Sequence, residues 1–165
     1  MSDPSASPAS SAPRERIFLV VVDETDEMRV ALRYAALRAF HTGGKVALLA
    51  VTEPPGMQQF AAIEERMEEE RREEAEQLLA KLSAEVKEIA GSTPILYLRT
   101  GRCSEELLAL IEEEPSITVL VLAAGTGQEG PGPLISALVS RTGKLRVPVT
   151  IVPGALDEAQ VAALA

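Results

Sequence analysis

The chain of 165 residues has few of the residues on which most catalytic, metal and disulfide sites depend. It contains no tryptophan, one cysteine (Cys103) and one histidine (His41). A single cysteine forms no intramolecular disulfide, and one cysteine with one histidine cannot build a His/Cys zinc site or a hydrolytic triad. The sequence therefore predicts a reducing, cytoplasmic location, no metal site and no triad chemistry.

Positive charge and long apolar runs are also scarce. Lysine and arginine total 16 against 25 aspartate and glutamate residues, which gives a formal net charge of −9. Such a charge repels phosphate backbones and anionic membranes. No apolar run reaches the ~18 residues of a membrane-spanning helix, and the first residues lack the apolar core of a signal peptide. We expect neither a nucleic-acid partner nor a membrane partner.

Hydrophobic residues make up 46% of the chain although aromatic residues make up only 3%, so a core of Val, Leu, Ile and Ala is expected. Five apolar runs without alternation predict strands that are covered on both faces, as in a parallel sheet. They are Ile17–Val22, Lys45–Val51, Ile95–Arg99, Ile117–Leu122 and Val147–Val152. Segments with helical periodicity separate them, which predicts one α/β domain with helices on both faces of the sheet.

The predicted domain covers residues 14–154. Residues 1–13 contain almost no bulky apolar side chain and are expected to form a disordered arm. Residues 155–165 form a tail in which Asp157–Ala165 has the pattern of a short amphipathic helix. We expect this helix to dock on the domain, either its own or that of a partner copy.

Four helices are predicted between the strands. Asp23–Asp26 supplies capping residues for the first helix, which Gly43 ends. The second spans Met57–Ala90, unless its first part, Met57–Glu70, is an excursion over the sheet edge. Its acidic residues are interpreted as a solvated face rather than a metal site. The third begins at Ser104 as N-cap, and the fourth spans Leu134–Leu145.

A glycine-rich stretch, Ala123–Ser136, lies between the fourth strand and the fourth helix. A strand, a glycine-rich turn and a helix N-terminus in succession typically hold an anion or nucleotide on backbone amides. Here Pro131 and Pro133 each remove an amide donor, and Glu129 adds negative charge. Like charges 4 Å apart repel by roughly 4 kcal/mol at an effective dielectric of ~20. The loop therefore disfavours a ligand with several negative charges.

Several short segments, taken in their order and spacing, resemble the universal stress protein family. They are Val22-Asp23, Leu48–Thr52, Gly101–Glu106, Leu120–Gly125 and Val147–Val152. The resemblance implies a doubly wound, Rossmann- or flavodoxin-like sheet with strand order 3-2-1-4-5. It also implies a ligand site at the switch point between the first and fourth strands, beyond their carboxyl ends.

The resemblance further implies an adenine nucleotide, ATP or AMP, with Mg²⁺ only if ATP binds. Adenine and ribose would contact Asp23 and Val51. The phosphate-binding residues would be Gly125, Thr126, Gly127, Gly130 and Ser136. The chain departs from the family pattern because its second glycine is displaced and Ile135 replaces a glycine. The interval of 11 positions from Gly125 to Ser136 is also shorter than is usual in the family. With the charge of the loop, these departures favour an AMP-like or altered ligand, or none, over a triphosphate.

The predicted function is that of a non-catalytic small-ligand sensor or stress-responsive binding module. The alternative is an ATP-dependent switch or weak ATPase that uses Asp23 and the Gly125–Ser136 loop. The resemblance also implies a homodimer in which the strands at Val147–Val152 pair across a two-fold axis. An apolar edge strand requires such a cover.

Two single residues have alternative interpretations. Cys103 lies just before a predicted helix N-terminus, which would lower its pKa and suit a redox-sensing thiol. An ordinary turn residue is the favoured interpretation. His41 lies at the end of the first helix, where a capping role is favoured over that of a catalytic base.

Overall fold

The computed structural model describes residues 14–54, 61–127 and 130–165. In chain order the elements are β1 (Ile17–Val21), α1 (Asp26–Thr42), β2 (Lys45–Thr52), α2 (Ala61–Ala90), β3 (Ile95–Thr100), α3 (Cys103–Glu113), β4 (Ile117–Ala124), α4 (Pro133–Val139), β5 (Val149–Pro153) and α5 (Glu158–Leu164). A short 3₁₀ turn, Thr142–Lys144, lies between α4 and β5. The predicted arm at residues 1–13 and the predicted helix start at Met57 lie outside the described residues.

The five strands form one parallel sheet in the order β3-β2-β1-β4-β5, which confirms the predicted fold. Strand β1 lies in the middle, and its Val20 pairs with Leu48 of β2 on one side and Val121 of β4 on the other. The order reverses between β1 and β4. The chain segments that leave these two strands therefore diverge, and a crevice opens at their carboxyl ends.

Helices cover both faces of the sheet because the strands are apolar on both faces. Along β1, Phe18 and Val20 pack with α1 and α2, whereas Ile17 and Leu19 pack with α3 and α4. This alternation follows from the two-residue period of a strand. Leu19 is completely buried. The central strands therefore hold the loops at their carboxyl ends on a rigid base.

The termini of α1 follow the predicted capping pattern. The hydroxyl of Thr25 accepts a hydrogen bond from the amide of Met28 at 3.2 Å, and Gly43 ends the helix with φ of 69°. A left-handed conformation at this position is a common helix terminator.

The predicted cap of α3 is wrong. The helix begins at Cys103, and its N-cap residue is Arg102, whose side chain makes no capping hydrogen bond. Gly101 adopts φ of 149° directly after β3, so the chain turns into the helix earlier than Ser104.

Helix α4 and strand β5 are also shorter than predicted. Helix α4 ends at Val139, where the amide of Arg141 bonds the carbonyl of Leu138 at 2.9 Å and the chain tightens toward a 3₁₀ turn. Strand β5 begins at Val149 rather than at Val147. The carbonyl of Pro148 already accepts a hydrogen bond from the amide of Leu120, at 3.0 Å.

The tail helix α5 docks on α1 of its own domain. Asp157 and Gln160 form a reciprocal capping box, and Val161 is buried. At the other end, the side chains of Arg38 and His41 reach the main-chain oxygen of Ala165 at 3.3 and 3.1 Å. His41 therefore joins the last turn of α1 to the end of α5.

Candidate functional site

A cleft of about 320 Å³ lies at the carboxyl ends of β1 and β4. Its lining residues are Val21, Asp23, Thr25, Glu27, Met28, Ala31, Leu122, Ala123, Gly125, Pro131, Gly132, Pro133, Leu134 and Ile135. The sheet order brings Asp23 and Gly125, which are far apart in sequence, to this single cleft. The walls are mostly apolar, with two carboxylates, and none of the described lining residues is a lysine or an arginine.

Asp23 is held by the residue that caps α1. One of its carboxylate oxygens, Oδ1, accepts hydrogen bonds from the amide of Thr25, at 2.8 Å, and from the hydroxyl of the same residue. Thr25 therefore links the strand end to the helix start. Asp23 remains exposed to solvent, so its carboxylate is accessible to a ligand.

The glycine-rich loop folds back on itself at the other wall of the cleft. The amide of Gly125 donates to the carbonyl of Pro131 at 3.0 Å. Gly130 and Gly132 have φ of 91° and 115°, a region that side chains with a Cβ rarely adopt. The first amide of the predicted phosphate loop is therefore already used within the loop.

Thr126, the next residue of the loop, is bonded to an acidic side chain. Its hydroxyl donates to Oε1 of Glu27 at 3.1 Å. The pKa of Glu27 is held below its usual value, first by the amide of Glu27 itself, then by the hydroxyl and amide of Thr126 and by the hydroxyl of Thr25. Hydrogen bonds that favour the charged form have this effect. Glu27 of α1 is thus an ionised carboxylate that lies against the glycine-rich loop.

The remaining predicted site residues lie outside this cleft. Val51 is half-buried and borders a separate cavity of about 520 Å³, next to Arg71 and Leu78. Gly127 and Gly130 are exposed. Ser136 is exposed on α4, and its hydroxyl donates to the carbonyl of Gly132 at 3.0 Å. Of the predicted residues, the structure therefore brings Asp23 and Gly125 together in the cleft. Thr126 follows Gly125, and its hydroxyl bonds Glu27 of the cleft lining. The ligand role of all seven stays a prediction.

Thr25 and Glu27 are site residues that the sequence analysis did not single out. Both belong to the start of α1, where hydroxyl and acidic residues are usual for capping and for the helix dipole. Glu27 contacts Thr126, which is 99 positions away in sequence. The one signal in the sequence was the negative charge that Glu129 adds to the loop predicted to bind phosphate.

The position of Cys103 at a helix N-terminus does not lower its pKa, which excludes the alternative of a low-pKa thiol. The thiol belongs to the first residue of α3, and its pKa is raised, first by burial and then by the carboxylates of Glu53 and Asp23. The amide of Cys103 lies 3.5 Å from Oε1 of Glu53. That carboxylate faces the helix N-terminus and opposes its effect on the thiol.

The described residues contain neither a candidate metal site nor a candidate membrane-spanning helix. No group of three or more His, Cys, Asp or Glu side chains in this part of the chain is arranged to hold a metal ion. None of the helices described combines the length and apolar character that crossing a membrane requires.

Comparison with solved structures identifies relatives with the same fold. The chain superimposes on the universal stress protein UspA from Lactobacillus plantarum with a TM-score of 0.71 and 17% identity, covering 86% of this chain and 99% of that one. A universal stress protein family protein from Arabidopsis thaliana with AMP bound gives 0.58 and 14%, covering 84% and 91%. The universal stress protein from Archaeoglobus fulgidus in complex with dAMP gives 0.53 and 19%, covering 84% and 97%.

Sequence comparison gives the family. No curated protein matches the chain. The profile of the universal stress protein family, in contrast, matches residues 15–153. That range includes all five strands and both walls of the cleft. The resemblance found in the sequence is confirmed, and the chain belongs to the universal stress protein family.

Proposed function

We propose that this protein is a non-catalytic binding module that takes an adenine nucleotide of the AMP class in the cleft between β1 and β4. The observation that carries the proposal is the placement of Asp23 and Gly125 on one cleft of about 320 Å³ at the switch point of the sheet. Ligands of open α/β sheets bind at such a point. The two solved relatives with AMP and dAMP support the choice of ligand class.

The charge of the cleft favours few phosphates. Asp23 and Glu27 both contribute carboxylates, and the described lining residues contribute no lysine or arginine to offset added negative charge. An adenine ring and a ribose fit the mostly apolar walls, and the ribose hydroxyls are suitable donors to Asp23. We therefore propose ligand sensing rather than ATP hydrolysis, and Mg²⁺ is required only if ATP binds.

Isothermal titration with AMP tests the proposal. We expect one site per chain, and about tenfold weaker binding in Asp23→Asn because a charge-assisted hydrogen bond is replaced by a neutral one. The Asn Oδ1 can still accept the hydrogen bonds from Thr25, so the fold is kept. Asp26→Asn is the matched control: it removes the same charge from the exposed first turn of α1, outside the cleft lining.

Binding in Asp26→Asn should stay within about twofold of wild type. The proposal fails if adenosine, AMP, ADP and ATP all give no heat at millimolar concentration. It also fails if AMP binds but Asp23→Asn and Asp26→Asn weaken it equally.

We further propose that the protein forms a homodimer through β5. This strand lies at the edge of the sheet, and Ile151 and Val139 are 45% and 60% exposed beside an apolar groove of about 370 Å³. The other edge strand, β3, carries Arg99, which is ion-paired with Glu106 and Glu113. Charge on an edge strand disfavours pairing with another chain. The apolar edge is therefore the better interface.

A further inference from the structure

In the described part of the glycine-rich loop, Gly125–Gly127 and Gly130, two hydrogen-bond donors already have partners within the protein. The amide of Gly125 donates to the carbonyl of Pro131, and the hydroxyl of Thr126 donates to the carboxylate of Glu27. A loop of this kind normally offers such donors to an anionic group of a ligand. Here a backbone carbonyl takes the Gly125 donor, and a carboxylate of the protein itself takes the Thr126 donor.

The position of Glu27 is fixed from the opposite side as well. A Cβ atom built on Gly154, which follows β5, would collide with Cγ of Glu27 and with the carbonyl of Ala124. The amide of Gly154 donates to that same carbonyl at 3.2 Å. The side chain of Glu27 therefore lies between the turn at Gly154 and the loop at Thr126. It cannot withdraw from the loop toward β5 without moving this turn.

We propose that Glu27 is the specificity-determining residue of the cleft and selects against ligands with several phosphates. Its carboxylate occupies the position at which the loop would bind a phosphate. Each added phosphate must either displace it or lie beside it at the cost of like-charge repulsion. AMP reaches the apolar walls and Asp23 with the least such repulsion. This inference rests on the proposed function and adds a limit on the negative charge of the ligand.

The test compares ligands and variants in one set of titrations. AMP and ATP are titrated, without Mg²⁺ and at constant ionic strength, into wild type, Glu27→Gln and Asp26→Asn. Wild type should bind AMP at least about tenfold more tightly than ATP, and Glu27→Gln should reduce that ratio at least about fivefold. Asp26→Asn has the same net charge as Glu27→Gln, so a general charge effect would move both variants equally.

Each outcome has one meaning. If AMP binds wild type but Glu27→Gln changes AMP and ATP affinity by the same factor, the role of Glu27 is refuted and the proposed function stands. If neither nucleotide binds wild type or either variant, the proposed function itself is wrong. If Glu27→Gln does not give a cooperative melting curve, Glu27→Met supplies the same charge change with a similar side-chain volume. Failure of Glu27→Met to lower the ratio likewise refutes the inference.

Discussion

Burial and two neighbouring carboxylates together determine the pKa of Cys103. Glu53 lies against the amide of Cys103, and Asp23 acts on the same thiol through its charge. Burial is the main reason why the pKa of Cys103 lies above its usual value, and the two carboxylates add to it. A thiol in this state is a poor nucleophile because the thiolate is the reactive form. The position of a cysteine at a helix N-terminus therefore does not make it reactive when a neighbouring carboxylate occupies that end.

We predict that Cys103 reacts slowly with iodoacetamide at pH 7. The raised pKa means that the thiol is neutral below its titration and becomes thiolate only as the pH rises through it. The alkylation rate should therefore still be rising above pH 9, and Glu53→Gln should increase the rate at pH 8. Glu112→Gln, on the exposed face of the same helix, is the control. A rate that reaches a plateau below pH 8 would show a lowered pKa and refute the prediction.

At the level of helices and strands, the stability of a helix start depends on whether a hydroxyl side chain caps a backbone amide. Thr25 and Ser104 are both hydroxyl residues near a helix start. Thr25 is the N-cap of α1, whereas the N-cap of α3 is Arg102 and not Ser104. Loss of a capping hydroxyl leaves a helix amide without its partner. The two residues therefore form a matched pair.

We predict that Thr25→Ala lowers the free energy of unfolding by about 1 kcal/mol, with an upper limit of about 2 kcal/mol. Ser104→Ala should change it by less than about 0.5 kcal/mol. Urea unfolding followed by circular dichroism measures both. Equal losses in the two variants would mean that Ser104 has a structural role comparable to that of Thr25.

The strands were predictable because continuous runs such as Ile17–Val21 have one physical explanation, burial on both faces of a sheet. The ends of the helices and strands were less predictable from the sequence. The end of α4 depends on local hydrogen bonds of Ser140 and Arg141, which the apolar pattern does not contain. The strand order was implied by the family resemblance rather than by composition.

The site was predictable in its location and only partly in its residues. Asp23 and Gly125 follow strands that the fold places side by side. Glu27 was not predictable, because its contact with Thr126 depends on how a loop folds back across 99 positions of sequence. Val51 lies in β2, the strand in which it was predicted, but the structure places it on a neighbouring cavity beside α2.

At the scale of the whole molecule, the two edges of the sheet differ in character. We predict that Ile151→Lys on β5 converts a homodimer to a monomer without loss of the fold, because it places a charge on the exposed apolar edge. Leu96→Lys on β3 is the matched control, since Leu96 is exposed to nearly the same extent, 44% against 45%. Analytical ultracentrifugation of the three proteins at micromolar concentration measures this. A monomeric wild type, or a dimer that only Leu96→Lys dissociates, would refute the proposed interface.

We propose above all that AMP binds in the cleft between β1 and β4. An NMR titration of the ¹⁵N-labelled protein with AMP tests it most directly, because it reports the location of binding at single amides. We expect saturable shifts at Asp23, Ala31 and Gly125, with the amides of β3 and α5 unchanged. Saturable shifts confined to the cavity beside Val51 and Arg71, or no shifts at millimolar AMP, would contradict it.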